Sequence, residues 1–211
     1  MIPAGERQLV EHVLHVPRLQ VNGELADTLT ATPTAFDFIV ADGVVLKQTR
    51  YADRNSLELL GPGDVLAPPL TPSRQLESRA ISSYQAHGEA SLAVIEDRFR
   101  TAARRWPQLS DVLHDRLARQ THRASMHLAM LHLARAEERV LALFSDLADR
   151  FGHVTSYGIV IGVELTHKLI GQLIGSRRST VSLALEELST TGTLTRTRND
   201  RWMLNAPDIL G

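Results

Sequence analysis

The stretch Leu165–Leu188, LTHKLIGQLIGSRRSTVSLALEEL, decides how the chain is read. Its apolar residues fall into two helical sets separated by Gly175. Leu169, Ile170, Leu173 and Ile174 make the first set. Val181, Ala184, Leu185 and Leu188, three and four apart, make a second stripe for the same core. Thr166 is placed to cap the first helix. Ser176 or Arg177 starts the second, and Gly192 lies just past its end. Thr193–Leu204, TLTRTRNDRWML, then reads as two short strands around Asn199-Asp200. Helix, glycine turn, helix and hairpin is the order of a winged helix-turn-helix.

The charges sharpen this. Arg177 and Arg178 sit in the first turn of the second helix, where cations meet the positive end of the dipole at a cost of about a few tenths of a kcal/mol. A helix built only for stability would carry Asp or Glu there. Guanidiniums at that end suit phosphates and guanine edges instead. The face turned away from the apolar stripe carries Ser179, Ser182, Leu183 and Glu186. Arg196, Arg198 and Arg201 cluster on the hairpin with only Asp200 opposed to them. A basic wing of this kind supplies sequence-independent affinity for a duplex backbone. The plain alternative is a solvated helical hairpin whose arginines carry no function.

Composition bounds the rest. The 211 residues are 43% hydrophobic with a formal net charge of −1, so any nucleic-acid site is a local patch. The absence of cysteine excludes disulfides, cysteine-held clusters and thiol nucleophiles, and it fits a reducing compartment. Glu6 and Glu11 interrupt the N-terminal apolar residues, and no stretch is long enough to span a membrane. The expectation is a cytoplasmic protein without a membrane partner. Paired carboxylates, a Walker or dinucleotide fingerprint and a nucleophile elbow are missing, so the chain reads as no enzyme.

Residues 1 to 106 read as mostly β. Ala35–Thr49 alternates apolar residues around Asp42-Gly43, a hairpin signal. A strand-like run then meets the turn Gly61-Pro62-Gly63-Asp64. Ser78–Ala86 and Ala90–Ile95 read as two more strands, and together these suggest a barrel, roll or sandwich. Residues 107 to 135 read as a long helix. Leu113, Leu117, Gln120, Ala124, His127, Leu131 and Ala134 alternate spacings of four and three, a heptad seam suited to self-association. Gln120 and His127 would fix its register. The alternative is a helix packed on its own domain. A break near Ala134–Glu138 leads into residues 136 to 211, which hold a further helix, Arg139–Arg150, and the winged domain.

The segment Leu165–Arg196 resembles the DNA-binding domain of the cyclic-AMP-receptor/fumarate–nitrate-regulator (Crp/Fnr) superfamily. The shared pattern falls on Thr166, Ile170, Gly171, Gly175, Ser176, Arg178, Thr180, Val181, Leu185, Leu188, Gly192 and Leu194. The resemblance implies an α+β fold with an N-terminal antiparallel β-roll, a long dimerisation helix and a C-terminal winged helix-turn-helix. It also implies a homodimer on a palindromic operator in double-stranded DNA, and RNA polymerase as a further partner. Base reading falls on Arg178, Ser179 and Leu183, and backbone contact on Thr166 and His167. Ser176, Arg177, Ser182, Arg196 and Arg198 complete the expected DNA surface. Some relatives carry an acidic residue and a second arginine where this chain has Ser179 and Leu183. The family's best-known operator is therefore not transferred. Leu183 suits a thymine methyl group.

Relatives that bind a cyclic nucleotide carry a Gly-Glu pair and an Arg-Ser/Thr-Ala run. Here Ala67-Pro68-Pro69 replaces Gly-Glu, and two prolines remove backbone donors. Arg74 and Arg79 lie outside the Arg-Ser/Thr-Ala pattern, and Ser125 alone stands near the purine positions. The reading is a regulator without cyclic nucleotide or other evident cofactor. A regulator dependent on a cyclic nucleotide or another small ligand, and a protein-interaction module using the winged helix, remain as alternatives. His122, His127 and His132 are five residues apart, rotated about 140° each, so they form no single metal face. His12 and His15 have no evident partner.

Overall fold

The computed structural model describes residues 16–30, 37–66 and 80–205. The chain divides into two compact units, Met1–Arg123 and Ala124–Gly211. His12, His15, Ala67, Pro68, Pro69, Arg74 and Arg79 lie outside the described residues.

The first unit contains strands β1 (Arg18–Glu24), β2 (Asp37–Asp42), β3 (Val45–Tyr51), β4 (Arg54–Leu60), β5 (Val65–Leu66) and β6 (Ala80–Ile95). Helices α1 (Ala26–Thr30) and α2 (Asp97–Arg105) belong to it, and α3 (Gln108–Leu131) begins in it. Every ladder is antiparallel, and β6 is the spine. β1 runs along it from Arg18↔Ala93 to Glu24↔Gln85. β2 and β3 pair with it in succession, from Asp37↔Ile95 to Tyr51↔Ala80.

That register corrects two sequence expectations. Asp42-Gly43 is no hairpin: β2 and β3 follow one path along β6 and bend between them. Gly43 has φ +78°, and a Cβ there would stand 2.5 Å from Glu89 O, so the close approach requires glycine. Alternation on both sides of a bend has the same period as alternation through a hairpin, which is why the sequence misled. The hairpin is β3–β4, turning at Ala52-Asp53 with Ala52 at φ 52°. Likewise, the two strands expected over Ser78–Ile95 are one, β6, which continues through Gly88. A register shift between Asn22 and Gly23 of β1 absorbs the irregularity opposite it.

The core of the unit holds alternate residues of facing strands, among them Phe38, Val40, Val45, Leu60, Leu66 and Leu92, with Leu25 and Leu29 closing it. Ala102 of α2 and Trp106 just past its end bury together, and Leu109 packs on them.

The Gly61–Asp64 turn is as expected. Asp64 N donates to Gly61 O at 2.9 Å, and Gly61 N donates to Asp64 Oδ2 at 2.9 Å. α3 grips it from one face. Arg123 pairs with the Asp64 carboxylate. The Gln120 amide accepts from Val65 N at 2.9 Å and donates to Val65 O at 3.1 Å, closing the β5 edge like a ladder partner. Gln120 thus bonds its own chain through both ends of its amide. Leu113, Ala124, His127 and Leu131 are half-buried within the single chain. Among the apolar residues of α3, Leu117 and Leu128 are 44% and 61% exposed. Heptad counting finds a stripe but does not say which of its edges meets the chain's own fold.

The second unit contains the end of α3, then α4 (Ala136–Phe151), β7 (Gly152–Thr155), β8 (Gly158–Ile161), α5 (His167–Leu173), α6 (Arg178–Thr190), β9 (Leu194–Arg196) and β10 (Trp202–Leu204). The helix break falls at 132–135, and α4 starts three residues before the expected Arg139. The strands form an antiparallel sheet in the order β7-β8-β10-β9. Val140, Phe144 and Leu147 of α4, Ile170 and Leu173 of α5, and Val181 and Leu185 of α6 are buried with Trp202. Phe144 meets the Trp202 ring edge-on at 5.5 Å between centroids. Among the described residues no helix is long and apolar enough to cross a membrane.

Candidate nucleic-acid interface

α5 begins as its sequence implies. Thr166 Oγ1 accepts from Leu169 N at 3.1 Å and satisfies an amide the helix leaves open. The buried set Leu169, Ile170 and Leu173 then points inward. The chain turns over Ile174–Arg177. Gly175 takes φ +63°, a left-handed value that glycine adopts without strain. Ser176 N donates back to Gly171 O at 2.8 Å and fixes the turn.

α6 buries Val181, Ala184, Leu185 and Leu188, the four residues of the sequence stripe. Arg177 is its N-cap without a side-chain bond. Arg177, Arg178, Ser179, Leu183 and Glu186 are exposed, and Leu183 keeps 68% of its surface open. Leu183 thus presents apolar surface on the open face of α6, and contact with an apolar partner group would bury it.

Ser176 and Ser182, both expected on the DNA surface, have partners within the chain. Ser176 Oγ accepts from Arg139 Nη2 at 3.1 Å, and Arg139 Nη1 donates to Leu133 O at 3.3 Å. Arg139 therefore links the 132–135 break to the turn before α6, a role the sequence reading missed. Its only sequence signal was a cation early in α4. Ser182 Oγ donates to Arg178 O at 3.1 Å and lies 2.9 Å from His167 Nδ1. That bond ties α5 to α6 directly.

The wing arginines divide by role. Arg196 lies over the Trp202 ring at 3.9 Å and reaches Asp200 through both its carbonyl and its carboxylate, the latter at 3.1 Å. Arg201 donates to Gly162 O at 2.9 Å and stands 3.7 Å from Glu164. These two brace the hairpin. Arg198 stands exposed at its tip. The hairpin turns as expected, with Asp200 at φ 56°.

His167 stands between the arginines of helix and wing. Burial, then Arg196, then Arg178 hold its pKa below the usual 6.5. The surface is therefore a run of guanidiniums, one imidazole and one apolar side chain around the start of α6.

Residues 138–210 match the model of the Crp-like helix-turn-helix domain. The chain is 30% identical over 166 residues to a CRP-like cAMP-activated global transcriptional regulator of Mycobacterium tuberculosis, covering 74% of this chain and 69% of that one. The chain belongs to the Crp/Fnr family. It is a transcription regulator of the Crp/Fnr type. Regulatory protein CysR of Synechococcus elongatus is 27% identical over 185 residues, 84% of this chain and 81% of its own. FixK2 from Bradyrhizobium japonicum shares the fold, with a TM-score of 0.66 at 20% identity over 90% of this chain and 93% of that one. A CooA mutant from Carboxydothermus hydrogenoformans does so at 0.68 and 18% identity, over 92% and 86%. Membership of the Crp/Fnr family accounts for the whole element order, from β-roll through long helix to winged helix.

Proposed function

We propose that this Crp/Fnr regulator acts as a homodimer that places one α6 per subunit in the major groove of a palindromic duplex. The observation that carries this reading is the open surface at the start of α6. Arg178, Ser179 and Leu183 offer a charged donor, a small hydroxyl and an apolar group on one helix face. That set matches what base edges present. Arg177 and Arg198 flank it as phosphate contacts, and two-fold symmetry sets the half-sites about one helical turn apart.

The dimer contact follows α3. Leu117, Thr121, Ala124 and Leu128 are spaced four, three and four, and all but half-buried Ala124 are exposed. This seam keeps Leu117 and Ala124 of the sequence seam and replaces Gln120 and His127 by their neighbours Thr121 and Leu128. The regulator works without a cyclic nucleotide. Pro68 and Pro69 support this, because they lack the amides that would cradle a cyclic phosphate, and Gln120 and Arg123 already join α3 to the Gly61–Val65 segment. The relative from Mycobacterium tuberculosis is named as cAMP-activated, so cyclic AMP is the competing reading to test.

Selection of bound duplexes from a random pool tests all of this together. Run with and without cyclic AMP, it should return the same palindrome. A non-palindromic consensus would exclude the two-fold arrangement, and enrichment only with cyclic AMP would exclude nucleotide independence.

A further inference from the structure

His167 lies where α5, α6 and the wing meet. Its Nδ1 is 2.9 Å from Ser182 Oγ, while Ser182 Oγ donates to Arg178 O at 3.1 Å. A serine hydroxyl has one proton to give. With that proton on Arg178 O, the bond to the ring is made by Nδ1–H donating to Ser182 Oγ. The neutral imidazole then has only a lone pair at Nε2. The charged groups facing the ring are Arg196 on β9 and Arg178 on α6, and its uncharged neighbours are Ser182 and the Trp202 ring 6.4 Å away.

Arg178 stands exposed beside the imidazole and Arg196 is shared with the Asp200 carboxylate, so the spot stays net positive and an anion is favoured there. A DNA phosphate oxygen brings lone pairs only. It meets a bare Nε2 favourably only if that nitrogen gains a proton. We propose that His167 is a proton-linked phosphate contact: DNA binding places a proton on Nε2, while Nδ1–H holds Ser182 and with it the first turn of α6. This rests on the DNA-binding reading above and adds a residue-specific proton to it.

The sign follows. In the free chain, burial and the two arginines keep the ring neutral at neutral pH. A phosphate placed beside it raises its pKa. The complex then holds more protons than the free chain, so affinity falls as pH rises through the window between the lowered free-chain pKa and the raised one. With at most one proton per subunit, the slope of log affinity against pH approaches about −1 per subunit, about −2 per dimer. The competing arrangement has the Ser182 hydroxyl swing to Nδ1, leaving an Nε2–H that donates to phosphate without proton uptake.

The test is the affinity of the full chain for a selected duplex from about pH 6 to about pH 8, where histidine titrates, for wild type, His167→Gln and His167→Arg. The proposal expects a falling wild-type affinity, a weak and flat response for His167→Gln, and a tight and flat one for His167→Arg. A wild-type slope equal to that of His167→Gln would overturn it with DNA binding intact. Should the variants not fold, nitrogen NMR of the wild-type ring decides: Nδ1–H alone in the free chain and both nitrogens protonated on DNA support it, and Nε2–H in either state alone overturns it. Wild type that binds no duplex at any pH would overturn the proposal and the DNA reading together.

Discussion

Leu183→Ala isolates the apolar part of base reading. The side chain is 68% exposed, so its loss leaves the core untouched and stability should stay within about 0.5 kcal/mol. On DNA it should matter. Three carbon groups at about 0.8 kcal/mol each, scaled by the exposed fraction left to bury, give about 1.6 kcal/mol per half-site. Two half-sites make about 3 kcal/mol, on the order of a 200-fold loss of affinity. The thymine methyl itself is worth about 0.8 kcal/mol, or about fourfold per half-site. Replacing the thymines of the selected operator by uracil removes only that methyl, so the assay is a double cycle. Wild type and Leu183→Ala are each titrated on thymine and uracil duplexes. At the position that Leu183 reads, uracil should weaken wild type and leave the variant unchanged. If both proteins lost the same factor at every thymine, or neither lost any, Leu183 would not be touching a methyl group.

Other side chains give separate signatures. Arg178→Ala should cost about 1–3 kcal/mol per half-site and relax preference at one base pair, read by repeating the duplex selection with the variant. Arg198→Ala should weaken all sequences alike and lower the salt slope by about one per subunit. Trp202→Ala removes the ring that Phe144 and Arg196 pack on and should cost about 3–5 kcal/mol, measured by denaturation of the winged domain. Arg123→Met leaves buried Asp64 without its guanidinium and should destabilise the first unit by about 3–5 kcal/mol, whereas Arg123→Lys should recover part of that loss.

The two units were not equally legible. In the second, the deciding signals are local: the Thr166 cap, Gly175 in the turn, Gly192 past α6 and Asn199-Asp200 in the wing all lie within a few residues of what they control. Sequence spacing therefore placed the helices and their buried faces correctly. What it missed there are contacts between elements. Arg139 on Ser176 and His167 on Ser182 join residues 37 and 15 positions apart. The first unit depends on such distant pairing throughout. Gly43 looked like a hairpin glycine because its reason, Glu89 O, is 46 residues away. Gly88 looked like a break because the register shift that accommodates it lies on β1. The α3 stripe showed the same limit, since Gln120 fits a heptad but bonds Val65.

Salt dependence on the selected duplex tests the central claim most directly. The intact chain should lose on the order of 10³-fold or more in affinity between about 50 and 200 mM salt, the loss given by six or more phosphate contacts across a dimer. An affinity unchanged by salt, or no binding to any duplex at low salt, would contradict DNA as the partner of the α6 surface.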